Sequence, residues 1–238
     1  VEAVVVEVSA NDEVLLDHEA IPGFMDAMVM PFRVRDPALL QGLEPGHQVV
    51  ARLEVQEDGG FLTKIDVVGK GPAPEAPVRA PSPLRAGAQL PAVQVHRADG
   101  TDAVVGEGQG RPMVLTFLYT RCPLPDFCPA TVAKLQALQE ATKAPVELLA
   151  VTLDPEHDTD PVLTAFAEQS GAGERWHFGR VDDLEKLALF GGLTFLPKDG
   201  QILHSKRLLL LDAQGRLLKR YDDLAFPVDE AVALLEGT

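Results

Sequence analysis

Short apolar runs separated by turn formers fill the start of the chain. Val1–Val8, Glu13–Glu19, Met28–Val34, Gln48–Gln56 and Gly60–Val68 read as strands, divided by Asn11-Asp12, Ile21-Pro22-Gly23, Asp36–Gly46 and Glu57-Asp58-Gly59. Five strands in about 70 residues predict a small closed barrel. From Gly71 the pattern stops. Gly-Pro-Ala-Pro-Glu-Ala-Pro-Val-Arg-Ala-Pro-Ser-Pro cannot supply ladder donors and prefers extended polyproline geometry, so it reads as a semi-rigid linker reaching roughly 40 Å at about 3.1 Å per residue.

Beyond the linker, strands and helices alternate. Ala92–Arg97 and Asp102–Val105 flank an Ala-Asp-Gly turn, and Met113–Tyr119 leads through a loop into a helix from Pro129 to about Lys143. Val146–Leu153 is a buried strand ending at Asp154-Pro155. Pro161–Gln169 and Asp182–Phe190 carry helical spacing, with Trp176–Gly179 a short strand between them. Ile202–Asp212 and Arg216–Tyr221 form a hairpin around Ala213-Gln214-Gly215, and Val228–Leu235 closes as a helix. A parallel pair followed by an antiparallel hairpin, with helices on both sides, predicts a thioredoxin-like α/β fold. The expected domains are a barrel over residues 1–70, a linker over 71–84 and the α/β domain over 85–238.

Composition narrows the partners. At 238 residues with 46% hydrophobic content, the chain is long enough for two cores. A formal charge of −15 argues against nucleic acid or an anionic membrane surface, since a phosphate-binding face needs clustered Lys and Arg. No apolar run approaches the length of a membrane span. The chain opens on Val1 rather than Met, consistent with removal of an N-terminal signal or membrane anchor.

Both cysteines, Cys122 and Cys128, lie where the strand Met113–Tyr119 hands over to the helix at Pro129. Unpaired amide N–H groups and the positive end of the helix dipole lower thiol pKa there, favouring the thiolate that binds metal or attacks a disulfide. A small structural disulfide is the plainer alternative. For metal binding, His204 is the leading third donor, because a Cys₂His set suits copper or zinc. Phe117-Leu118-Tyr119-Thr120-Arg121-Cys122-Pro123 with Cys128-Pro129, then Leu153-Asp154-Pro155-Glu156-His157-Asp158-Thr159, then Ile202-Leu203-His204-Ser205, resemble the Sco/SenC family of copper-binding thioredoxin-fold proteins. The resemblance runs from about Leu90 to the C-terminus and implies Cys122, Cys128 and His204 as copper ligands. One departure stands out: the family's usual Cys-x3-Cys is here Cys-x5-Cys, with Leu124-Pro125-Asp126-Phe127 in a longer loop. Asp154 and Asp158 suggest support for the site, although a turn and capping role for Asp158-Thr159 fits the sequence equally well.

A second constellation lies in the barrel. Met28 and Met30 alternate with Val29, so both belong to one face of a strand, and His18 comes from the preceding strand. Three of the four methionines, Met25, Met28 and Met30, fall within six residues, and thioethers select Cu(I). Methionine is also common core filler. The stretch resembles CusF-like periplasmic copper-binding domains, which are barrels of the OB type. That resemblance covers roughly Val1 to Val68 and implies His18, Met28 and Met30 as ligands. Where the family has a Trp, this chain has Met25, which offers a third sulfur. His47, His96 and His157 read as solvated, and His177 as packed at a strand end.

The resemblances together imply a periplasmic or otherwise extracytoplasmic copper metallochaperone, expected to be a monomer. It would hold Cu(I) in the barrel and Cu(I) or Cu(II) in the C-terminal domain. Its partner would be the copper-containing subunit of cytochrome oxidase or another copper acceptor. Two other readings stay open: a thiol–disulfide oxidoreductase using Cys122 and Cys128 as its redox pair, and a copper buffer for detoxification.

Overall fold

Five strands close on one another at the start of the chain: β1 (Glu2–Val8), β2 (Glu13–His18), β3 (Met28–Val34), β4 (His47–Gln56) and β5 (Gly59–Lys70). The structure, a computed structural model, describes residues 1–8, 12–22, 27–56, 59–74, 84–108, 110–125, 127–198 and 201–237, and the chain divides into two units, Val1–Pro77 and Val78–Thr238. In the first unit the strand order is β1-β2-β3-β5-β4, and β1 also pairs with β4, so the sheet closes without an open edge. This is the all-β barrel that the turn-punctuated sequence predicts. Alternate positions of β2 and β3 face the interior, where Val14, Leu16 and Phe32 pack with Val5, Val49 and Leu62. The β2–β3 register sets His18 opposite Met28, Leu16 opposite Met30 and Val14 opposite Phe32. His18 therefore continues the inward-facing row of Val14 and Leu16.

In chain order, the second unit runs β6 (Val93–Arg97), β7 (Asp102–Val105), β8 (Met113–Leu118), α1 (Cys128–Ala141), β9 (Glu147–Thr152), α2 (Asp160–Gln169), β10 (Trp176–Val181) and α3 (Leu184–Gly191). It continues with β11 (Phe195–Lys198), β12 (Gln201–His204), β13 (Leu208–Leu211), β14 (Leu217–Tyr221) and α4 (Val228–Glu236). Seven strands form one sheet in the order β14-β13-β8-β9-β10-β6-β7. Its centre, β8-β9-β10, is parallel, and every residue of β8 and β9 is buried, as strands covered on both faces require. α1 packs on α4, and α2 on β10. The carboxyl ends of the parallel strands bring the loop after β8 and Asp154, after β9, to one edge of the sheet.

Most element boundaries lie within two residues of those read from the sequence. The exception carries His204. Ile202–Asp212 is two strands rather than one: β12 pairs with β11 in a separate two-stranded ribbon, and β13 joins the main sheet between β8 and β14. The chain turns out of the ribbon because Ser205 N–H donates to the Thr194 carbonyl at 2.8 Å and Arg207 Nε to the Gly192 carbonyl at 2.7 Å. β11 escapes a sequence reading because it contains Pro197, which a two-stranded ribbon with open edges tolerates.

Candidate functional site

The loop between β8 and α1 holds both sulfurs. Cys128 opens α1 and is 2% exposed, whereas Cys122 is half-buried, and both are free thiols. The helix terminus predicts lowered pKa for both cysteines, and the structure corrects this. Hydrogen bonding from the Cys128 thiol holds Cys122 below the usual thiol range against the opposing effect of burial. Cys128 is pushed up, first because its proton is shared with the Cys122 sulfur and then because it is buried. The two sulfurs are thus pushed in opposite directions, the accessible one toward the thiolate and the buried one toward the thiol.

His204 ends β12 with its Nε2 3.7 Å from Cys128 Sγ. Its Nδ1 donates to the Ser205 carbonyl at 3.1 Å, which selects the tautomer with a bare Nε2 facing the sulfur. Two rings flank the imidazole edge-on: Tyr119 and Phe127, each with its centroid 5.9 Å away. Tyr119, 2% exposed, accepts from the Ile202 N–H at 3.4 Å, and burial keeps its phenol protonated. Among the described residues, no three His, Cys, Asp or Glu side chains stand in a group ready to hold a metal ion. Of the three candidate donors, Cys128 Sγ and His204 Nε2 approach each other, with Cys122 on the same loop as Cys128. The donor types, two soft sulfurs and an imidazole, fit copper.

Beneath the loop lies a residue whose part the sequence leaves ambiguous. Asp158 is 0% exposed, and it accepts from Thr120 N–H at 3.0 Å, Thr120 Oγ1 at 2.5 Å and Thr152 Oγ1 at 2.5 Å. It caps no helix: the N-cap of α2 is Thr159, without a side-chain cap. Asp158 instead ties Thr120, near the start of the cysteine loop, to the end of β9. Beside it, Asp154 accepts from Arg121 Nε at 2.6 Å, fixing the residue before Cys122. Two other histidines take structural partners. His177 pairs with Asp99 at 3.1 Å and approaches Glu147 at 3.5 Å, and His96 bridges Asp102 and Asp182 rather than being free in solvent.

In the barrel, His18 is 1% exposed, and its Nδ1 donates to the Glu19 carbonyl at 2.7 Å. The opposite nitrogen, Nε2, is buried with no hydrogen-bond partner among the described residues. A bare ring nitrogen buried this way costs about 1–3 kcal/mol unless something binds it. Met28 stands directly across the ladder, and Met30, half-buried, packs against the barrel core two positions on. Phe32 meets the His18 ring edge-on at 5.3 Å. The orphaned nitrogen and these thioether positions fit a soft monovalent ion. Met25 and the side chain of Met28 lie outside the described residues.

Comparison with known proteins matches this division. Residues 94–237 match the family described as SCO1/SenC, and residues 1–67 match the one described as copper binding periplasmic protein CusF. A protein of Stutzerimonas stutzeri, named as a candidate copper-binding protein, is 30% identical over 118 residues, covering 46% of this chain and 57% of that protein. The SCO1 protein homolog of Bacillus subtilis is 25% identical over 146 residues, covering 57% of this chain and 75% of that protein. The chain thus spans little more than half the length of the first relative and three quarters of the second. The solved structure of Bradyrhizobium japonicum ScoI with copper bound superposes with a TM-score of 0.51 at 23% identity, over 63% of this chain and 99% of that one. That likeness speaks for the thioredoxin-like fold of the second unit. With a family match over well over half its length, and the Cys loop and the histidine ribbon inside that match, the chain belongs to the SCO1/SenC family.

Proposed function

We propose that this chain is an extracytoplasmic copper metallochaperone that binds copper in both units and delivers it to the copper-containing subunit of cytochrome oxidase. The observation that carries the reading is the approach of His204 Nε2 to Cys128 Sγ beside the half-buried thiol of Cys122. In the second unit Cys122, Cys128 and His204 are the ligands, and copper is cargo held by groups that can be displaced one at a time. Cys122 is the accessible sulfur, so an incoming acceptor ligand meets the ion from that side. In the barrel His18, Met28 and Met30 hold Cu(I), with Met25 as a further sulfur. An all-neutral set of thioethers and imidazole favours the monovalent ion and suits a site exposed to oxidants better than thiolates do. The periplasmic description of the barrel's family supports the location.

The asymmetry of the thiols favours one other reading. A Cys122 thiolate could attack a partner's disulfide, form a mixed disulfide and expel the partner's thiolate. The Cys128 thiol, giving up its proton, would then attack Cys122 and release the partner reduced, leaving a Cys122–Cys128 disulfide. The two readings separate in one experiment. Reduced, copper-loaded protein is mixed with the apo copper-binding domain of the oxidase subunit, its own cysteines already reduced. Transfer of copper to the acceptor is expected; no transfer, with disulfide reduction still efficient on an oxidised acceptor, favours the oxidoreductase.

A further inference from the structure

Among the described residues, the ribbon that carries His204 shares no ladder with the seven-stranded sheet. Phe195 and Ile202 bury into the core of the unit and Ile202 N–H donates to the Tyr119 hydroxyl, which seats the ribbon; ring packing on Phe127 adds a contact next to Cys128 itself. Phe127 meets His204 edge-on at 5.9 Å and an interplanar angle of 77°, and Lys206 Nζ lies 4.4 Å from the centroid of the same ring. His204 and Lys206 are two residues apart, so one segment grips one ring through an imidazole and an ammonium. The ring is well placed to be gripped. Phe127 N–H donates to the Leu124 carbonyl at 3.1 Å, and its carbonyl accepts from Thr131 N–H at 2.8 Å and Thr131 Oγ1 at 3.0 Å, which pins its backbone at the start of α1. Its side chain is half-buried and does not belong to the apolar core of the unit, so core filling does not account for it. It also lies in the loop that lengthens the spacing between the cysteines.

We infer that Phe127 is a positioning residue: it docks the histidine ribbon on the cysteine loop and aims His204 Nε2 at Cys128 Sγ, with Lys206 as the second half of the grip. The ring contact and the cation over the ring are each worth a small factor, and together they bias the ribbon toward the docked arrangement. The longer loop thus carries its own means of registering the histidine. For copper release the inference rests on the Cys₂His reading above; for docking in the metal-free protein it does not.

The test uses the full reduced chain and two readouts. The first, without metal, is the alkylation rate of Cys128 in a Cys122→Ser background, because an undocked ribbon uncovers a sulfur now 2% exposed. The second is the rate at which copper leaves the Cys₂His site to a chelator, measured with Cys122 intact. Lys206→Met should raise both about two- to fivefold and Phe127→Ala about tenfold, while Lys206→Arg and Phe127→Tyr stay near the parent. Lys206 is not a core residue, so Lys206→Met keeps the test valid should Phe127→Ala fold poorly. Unchanged alkylation in both Lys206→Met and Phe127→Ala overturns the inference, as does an equal rise in Lys206→Arg. Faster alkylation with unchanged copper release upholds the docking and overturns the Cys₂His copper site instead.

Discussion

Replacing His204 by alanine is expected to lower the copper affinity of the second unit by more than about a hundredfold while leaving the Cys122–Cys128 disulfide able to form. Even residues that only orient a metal ligand are worth about ten- to a hundredfold in affinity, and in the proposed site His204 supplies one of three donors directly. Its bare Nε2, held in that tautomer by the Ser205 carbonyl, cannot be replaced by the neighbouring rings of Tyr119 and Phe127. Disulfide formation needs only the two sulfurs and an oxidant. Competition against a Cu(I) chelator measures the first quantity and mass change on mild oxidation the second. Parental affinity in His204→Ala would remove the imidazole from the ligand set. Loss of disulfide formation would mean that the ribbon organises the thiols themselves.

The second large effect concerns Asp158. Asp158→Ala leaves the Thr120 N–H and two buried hydroxyls without their acceptor and should cost about 3 kcal/mol, lowering the unfolding midpoint of this unit by roughly 6–12 °C. Asp158→Asn keeps one carboxyl oxygen as an acceptor and should lose about half as much. Trp176 is the only tryptophan and lies buried in β10, so its fluorescence follows this unit without interference from the barrel. The Asp158→Ala protein should also bind copper more weakly below its unfolding temperature, because the cysteine loop loses its anchor at Thr120. A midpoint unchanged within about 2 °C would show that Thr120 and Thr152 find other partners at little cost.

Much of this molecule is legible in its sequence, and what is hidden has identifiable causes. The run Met113–Leu118 is apolar throughout and is followed by proline at the start of α1, so the strand, the loop and the helix could be read from period and breakers alone. The barrel follows from five strand-length runs between turn formers, and its register places His18 against Met28 as alternation suggests. His204 is a different case, since local pattern gives a lone histidine and only the resemblance singles it out. The ribbon that holds it merges in sequence with β13, and the hydrogen bonds that separate the two come from Thr194 and Gly192, in a segment without strong pattern. Asp158 reads equally as a cap, because a short polar side chain precedes a helix, and as support for the site. Its actual donors, Thr120 and Thr152, reach it only when β8 and β9 pair. Phe127 is hidden for a similar reason, being a loop residue whose partners come from a ribbon nearly 80 positions on. The helix-dipole argument for the thiols does not carry to Cys128, where the hydrogen bond to Cys122 and then burial push the thiol up.

The central claim is that each unit holds its own copper with its own chemistry, and the most direct measurement is copper stoichiometry of the reduced chain under anaerobic Cu(I) titration. Two ions per chain are expected. Met28→Ala with Met30→Ala should leave one ion, on sulfur and nitrogen donors that mild oxidation to the Cys122–Cys128 disulfide abolishes. Cys122→Ser with Cys128→Ser should also leave one, on a site that forming no disulfide can affect. A single ion per chain in the parent, or two ions remaining after the methionine substitutions, would contradict the account.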